Sequence, residues 1–339
     1  MPSSYAGNAG NAGNAGNAGN AGNAGNTGNA TSITGGWFFP DRISLPFVTA
    51  PNTGPHAPSE PNSAGGPPRV AVRNFPQRNW SPDWWAWVAT GEFARTDWVT
   101  LDPSGQAEWP KGPEGPNGEP PVPIPAPATV PLPPIPPDTT PLGGVDWVAF
   151  TRQNEMDDLV AAASDERADA LGEIMAQSDE FISWFLNAMT ARPGAYPATT
   201  LVLTIASQAS LLPIMHLKAL YARPRPSELC PALLPPIAVP GHASFPSGHA
   251  TQAHLMALCM DEVLTGLPQQ PAMTDILWTL AGRIARNREI AGLHYESDTK
   301  AGLALARIIH PLLRTAQSGG RASCYQNAVV AATAEWKVP

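Results

Sequence analysis

The chain has 339 residues, of which 40 are proline and 30 glycine, with 14% charged residues and a formal net charge of −8. That much proline and glycine excludes a uniformly globular chain, and the acidic balance excludes the broad basic face of a nucleic-acid binder. Three cysteines, Cys230, Cys259 and Cys324, do not make a disulfide framework; Cys259 lies in an apolar helical pattern that predicts a buried thiol, and a Cys230–Cys324 pair stays open.

In chain order, residues 1–36 are dominated by an Ala-Gly-Asn repeat from Ala6 to Ala30 in which Thr27 is the one substitution. Nothing in it can form a core, which predicts a flexible tail or else a segment that bundles with copies of itself. The opening residues have neither a basic nor an apolar stretch, so no signal peptide is expected. Residues 37–109 form an arm with Trp37, Trp80, Trp84, Trp85, Trp87, Trp98 and Trp109 among turn-forming residues. So much aromatic surface is expected to wrap, as irregular chain, over the helical domain or a second subunit. Residues 110–142 are a proline-rich, extended linker.

From residue 143 to 339 the apolar spacing becomes helical. Helices are expected over 153–175, 179–190, 198–222, 249–265, 272–291 and 298–316, with breaks at Pro193-Gly194, the proline-rich 224–240 stretch, Gly266 to Pro271, and Gly292. The fold class is therefore all-α, a bundle of about six helices behind an irregular arm. The most apolar run, Thr199 to Leu220, is interrupted by Ser207, Gln208, Ser210, Pro213, His216 and Lys218. It is expected to fall short of a membrane span, which makes the protein soluble and, without an export signal, cytoplasmic.

Three segments at helix boundaries carry chemistry. In the first, Lys218 lies near a helix end that Pro224 must stop, so Arg225 enters from a loop. In the second, Ser247, Gly248 and His249 open a helix whose free N–H groups and dipole favour an anion. In the third, Gly292 is expected to end the helix bearing Arg288, leaving His294 on a turn that faces back toward Arg288. Asp298 can then fix the His294 tautomer, or simply cap the last helix. Cations and N–H donors of this kind neutralise the oxygens of a tetrahedral or trigonal-bipyramidal oxyanion. One imidazole attacks or ligates the central atom and the other moves protons. No clustered carboxylates suggest a divalent metal. Arg223 reads as a bystander, and His216, His254 and His310 as structural.

The patterns Lys-x6-Arg-Pro, Pro-Ser-Gly-His and Arg-x5-His-x3-Asp, in that order, resemble the superfamily that joins type 2 phosphatidic acid phosphatases with vanadium-dependent haloperoxidases. Asn287 departs from it, standing where the family usually has serine. The resemblance implies that Lys218, Arg225 and Arg288, with Ser247 and the Gly248 amide, grip the equatorial oxygens. His294 would be the phosphohistidine nucleophile of a phosphatase or the vanadium ligand of a haloperoxidase. His249 would protonate the leaving group or hold the apical oxygen. His242 matches a second histidine of bromide-oxidising members.

Two enzymes follow. One holds vanadate and oxidises bromide or iodide with hydrogen peroxide; the other, with no cofactor, hydrolyses phosphate monoesters through a phosphohistidine. His242, the expected lack of membrane helices and the expected lack of an export signal favour the first. A non-enzymatic interaction protein with a vestigial site is the third reading. The expected partners are small anionic substrates, with no nucleic acid and no membrane span, and the resemblance implies a homodimer.

Overall fold

The computed structural model describes residues 81–100, 103–111 and 153–337. The Ala-Gly-Asn repeat, the arm up to residue 80 and nearly all of the linker lie outside the described residues, as do the expectations placed on them.

The arm enters the described region as a helix, α1 (Pro82–Phe93). Proline suits its first position, where no intrahelical N–H bond is needed. Ala86, Ala89, Thr90 and Phe93 are buried on one face while Trp84 and Trp85 point outward. Two 3-10 turns follow, Trp98–Thr100 and Pro103–Gly105. Trp109 is 2% exposed and lies edge-on to Phe245, with ring centroids 5.3 Å apart. The tryptophan-rich arm thus covers the helical domain over its described part, through a helix rather than irregular chain alone.

The stretch expected as one helix over 153–175 is two, α2 (Gln153–Asp165) and α3 (Arg167–Asp179), broken at Glu166. The break lets Arg167 reach the carbonyls of Ile290 and Leu233 at 3.0 and 2.6 Å. After α4 (Ile182–Ala188) comes the long helix α5 (Pro197–Tyr221), against which α1 packs. It is apolar all round and buried, as a central helix must be. Its first amides are capped from far along the chain. Ala198 N and Thr199 N donate to the Glu335 carboxylate at 2.7 and 2.9 Å. Ala222, left-handed at φ 45°, closes its end.

A short helix, α6 (Pro226–Leu229), precedes the loop to α7 (Gly248–Leu264), which packs on α5, on α8 (Gln270–Ile290) and on α9 (Glu296–Thr315). A two-stranded ribbon, β1 (Gln317–Ser318) and β2 (Arg321–Ala322), pairs Gln317 with Ala322 around Gly319 and Gly320, both at positive φ. The last helix, α10 (Cys324–Trp336), packs on α5 and was not expected from periodicity. The fold is all-α. Cys259 is fully buried, and Cys230, Cys259 and Cys324 are all free thiols.

One expectation is corrected here. Within Pro197–Leu229 the most apolar 18-residue window has a mean hydropathy of 1.5, long and apolar enough to cross a membrane, and 67% of that window is buried in the bundle. The polar residues that interrupt it are mostly uncharged and do not lower its average enough. The expectation of a soluble, cytoplasmic chain without any segment able to span therefore does not stand.

Candidate functional site

The three segments meet where α5 ends, α7 begins and α8 turns into α9. Lys218 is carried there by the last turn of α5. Its Nζ donates to Ala243 O at 2.8 Å and Ser244 O at 2.7 Å. Pro224 ends the helical path, and Arg225 projects its guanidinium between two loops. It donates through Nη1 to Leu293 O (2.8 Å) and through Nε to His242 O (3.1 Å).

Gly292, at φ 77°, turns the chain out of α8, with Leu293 N donating to Arg288 O at 3.0 Å. His294 then lies with Nδ1 3.2 Å from Asp298 Oδ2 and Nε2 3.1 Å from Arg225 Nη1. It is therefore engaged with Asp298 and Arg225, not folded back onto Arg288 by a hydrogen bond. A carboxylate accepts the Nδ1 proton, so the Nε2 lone pair is the one presented to the guanidinium. Asp298 is fully buried. Burial pushes its carboxyl up, but Arg223, His294 and Ser244 outweigh that and hold it below the ordinary carboxylate range.

Ser247 caps α7, its Oγ accepting weakly from Ala250 N at 3.4 Å, and its own N–H donates to Asp298 O at 3.0 Å. Gly248 and His249 supply first-turn amides that have no acceptor within the helix. His249 stacks on Phe181 with ring centroids 5.2 Å apart, and its Nε2 is 3.2 Å from Gln177 O. Burial, then the charges of Arg288 and His294, push this imidazole well below its ordinary pKa.

Arg288 is 0% exposed and donates through Nη2 to Ile174 O at 2.9 Å, while its Nε and Nη1 have no hydrogen-bond partner among the described residues. Burial lowers it to about 10, so it stays charged near neutral pH. A buried charged donor left unpaired is costly, by about 1–3 kcal/mol or more, and an oxyanion beside His249 would satisfy it. His242 faces Arg225 at 3.0 Å through Nδ1, and its Nε2 has no partner among the described residues. Burial, then Lys218 and Arg225, lower this ring to about 4.

Lys218, Arg225, His242, His294 and Asp298 thus form one linked cluster, and Ser247 joins it through its backbone. His249 and Arg288 approach from the α3 side, held by two α3 carbonyls. Several contributors were not foreseen. Ser244 donates to Asp298 Oδ2 at 2.5 Å. Asn287 Nδ2 bonds Gln177 Oε1 at 2.8 Å and so ties α8 to α3. Arg223, read as a bystander, is an ion-pair partner of Asp298. Neither Ser244 nor Gln177 belongs to a spaced motif, so no local signal marked them. His216, His254 and His310 bond or stack outside this cluster, against Trp98, Ala250 and Glu262.

Residues 197–319 match the model of the PAP2 superfamily. Two curated relatives, each named a decaprenylphosphoryl-5-phosphoribose phosphatase and coming from two strains of Mycobacterium tuberculosis, are 34% identical over 105 residues. That alignment covers 31% of this chain, and the chain spans about half (53%) of the length of those relatives. A solved structure, described as a transmembrane PAP2-type phosphatidylglycerolphosphate phosphatase from Bacillus subtilis, aligns with 18% identity and a TM-score of 0.27. It covers 49% of this chain and 78% of that one. The curated relatives are named for a phosphate carried on a lipid. That overturns the expectation that the partners of such a site are small soluble anions.

Proposed function

We propose, from a helical domain whose residues 197–319 belong to the PAP2 superfamily, that this protein is a phosphatase that releases phosphate from a lipid-linked phosphate monoester. The phosphatase half of the pair left open by the motifs is preferred because the matched relatives are named phosphatases. The observation that carries the reading is His294, bonded to Asp298 through Nδ1 and directing Nε2 among buried cations.

In this mechanism Arg225, Arg288 and Lys218 draw the phosphate oxygens in, with the Ser247 hydroxyl and the Gly248 amide beside them. His294 Nε2 forms a bond to phosphorus as the ester P–O bond breaks, and Asp298 stabilises the positive charge that appears on the ring. His249 gives its proton to the departing alkoxide. Burial and Arg288 hold it neutral without substrate, and the phosphate dianion counters that push, so it can carry the proton it must donate. Water then attacks phosphorus, His249 takes a proton back, the P–N bond breaks and inorganic phosphate leaves.

Vanadate has the shape and charge of phosphate. The partnerless Arg288 N–H groups, with Arg225, Lys218, Ser247 and His294, fit it equally well. If bound, it would occupy the place of the transferred phosphoryl group, held by these same residues, and so block ester hydrolysis.

The test is phosphate release by the purified protein from a prenyl monophosphate in detergent micelles and from p-nitrophenyl phosphate, with and without orthovanadate. Release that vanadate blocks supports the reading. No release from either ester overturns it, and bromination by the vanadate-loaded protein would hand the site to the haloperoxidase branch.

A further inference from the structure

Arg223 is fully buried and makes an unusual number of contacts for a residue outside the motifs. Its Nη1 donates to Asp298 Oδ1 at 2.6 Å and to Ser297 Oγ at 2.7 Å, and its Nη2 lies 3.3 Å from Glu155 Oε2 on α2. Its guanidinium carbon sits 3.7 Å above the centre of the Tyr295 ring. Its carbonyl accepts from Ser244 N at 2.8 Å, which places the Ser244 hydroxyl against the other Asp298 oxygen. Glu155 is fixed in turn, since its Oε1 accepts from Ser297 N at 2.9 Å.

Each Asp298 oxygen therefore has its own task. Oδ1 is held by Arg223, whereas Oδ2 accepts from Ser244 Oγ, Tyr295 N and the His294 ring. Lys218, Arg225, His294 and Tyr295 also face this carboxylate electrostatically, but Arg223 is the cation that touches it. A guanidinium fork is suited to this, because it bridges several acceptors in one plane. Without it, Oδ1 would be an unpaired oxygen of a buried carboxylate, and the bonds at Oδ2 alone would have to oppose its turning to satisfy Oδ1 elsewhere.

We infer that Arg223 is a positioning residue: by holding Oδ1 it keeps Oδ2 of Asp298 on His294 Nδ1, and so sets the tautomer in which Nε2 carries no proton and can act as nucleophile. This deepens the proposed function and rests on His294 being its nucleophile. Glu155 extends the chain of contacts to α2, outside the segment that matches the superfamily.

The test uses the full chain labelled with 15N-histidine, with the His294 resonances identified by comparison with His294→Asn. Wild type is expected to show the Nδ1–H tautomer. Arg223→Met is expected to lose it, Arg223→Gln to lose it in a variant that retains polar bonding should the methionine variant not fold, and Arg223→Lys to restore it. Turnover in the two neutral variants should fall about 10- to 100-fold through kcat, with KM near wild type. A folded neutral variant that keeps the Nδ1–H tautomer overturns the inference. If wild type releases no phosphate yet the tautomer switches, the positioning role stands and the phosphatase reading falls.

Discussion

A Cβ atom placed on Gly302 would come within 2.7 Å of the Ser247 carbonyl oxygen and 2.8 Å of the Ala250 Cβ. Helix α9 therefore seats directly under the first turn of α7, where the Ser-Gly-His segment begins. The close approach requires a residue without a side chain. Gly302→Ala is expected to destabilise the fold by about 1–3 kcal/mol, as overpacking does, and to weaken vanadate binding by displacing the α7 amides. Urea unfolding and calorimetry check the two effects. A variant as stable as wild type would show that α9 can yield.

Arg288→Met is expected to move stability and binding in opposite directions. It removes a buried guanidinium with two nitrogens that have no partner among the described residues, so folding should be unchanged or strengthened. Orthovanadate affinity should fall by roughly 10- to 100-fold, the worth of a charge-assisted hydrogen bond. Loss of stability with unchanged affinity would remove Arg288 from the anion site.

His242 predicts a pH effect. Its folded-state pKa is lowered to about 4, while an unfolded histidine titrates near 6.5. Between those values the unfolded chain binds the proton more readily, so stability declines as the pH falls from about 6.5 toward 4. His242→Gln should flatten that part of the curve of urea midpoint against pH. An unchanged slope would show that the ring stays solvated.

Cys259 gives a simple check of the core. It is fully buried, and desolvation pushes its thiol up to about 12. Iodoacetamide at pH 8 should leave it unmodified in the native protein and label it after denaturation. Mass spectrometry of the peptide distinguishes the outcomes, and native labelling would mean that α7 opens locally.

The arm also yields a prediction. Deleting residues 1–36 should leave phosphate release intact. A fragment starting at residue 143 loses α1 and Trp109, baring the α5 face they cover, and is expected to aggregate. One starting at Ser81 should stay dispersed. A soluble, active fragment from 143 onward would refute the covering role of α1.

The sequence made the site legible where chemistry is local. Pro224, Gly292 and the Ser247 cap each act on their own stretch of backbone, so the termini of α5, α7 and α8 could be placed, and with them the residues of the candidate site. Arg223 was opaque because its meaning lies in Asp298 and Glu155, 75 and 68 residues away, and nothing in its own neighbourhood differs from a solvated helix end. Helix α1 was obscured by Trp84 and Trp85, which face outward and break the expected apolar stripe. For α10 a signal did exist: Ser323 and Gln326 form a reciprocal capping box, which periodicity alone does not register. The apolarity of α5 was read residue by residue, whereas its average over a membrane-length window is the quantity a membrane would sense.

The carboxylate that closes the start of α5 belongs to Glu335, 136 residues downstream of Thr199. During synthesis the helix emerges first and its end waits. At roughly 5–20 residues per second, several seconds to about half a minute pass before Glu335 has been translated. Through that interval the most apolar helix of the chain is exposed without its cap or its α10 neighbour, which makes the nascent chain a natural client for whatever binds apolar segments near the ribosome.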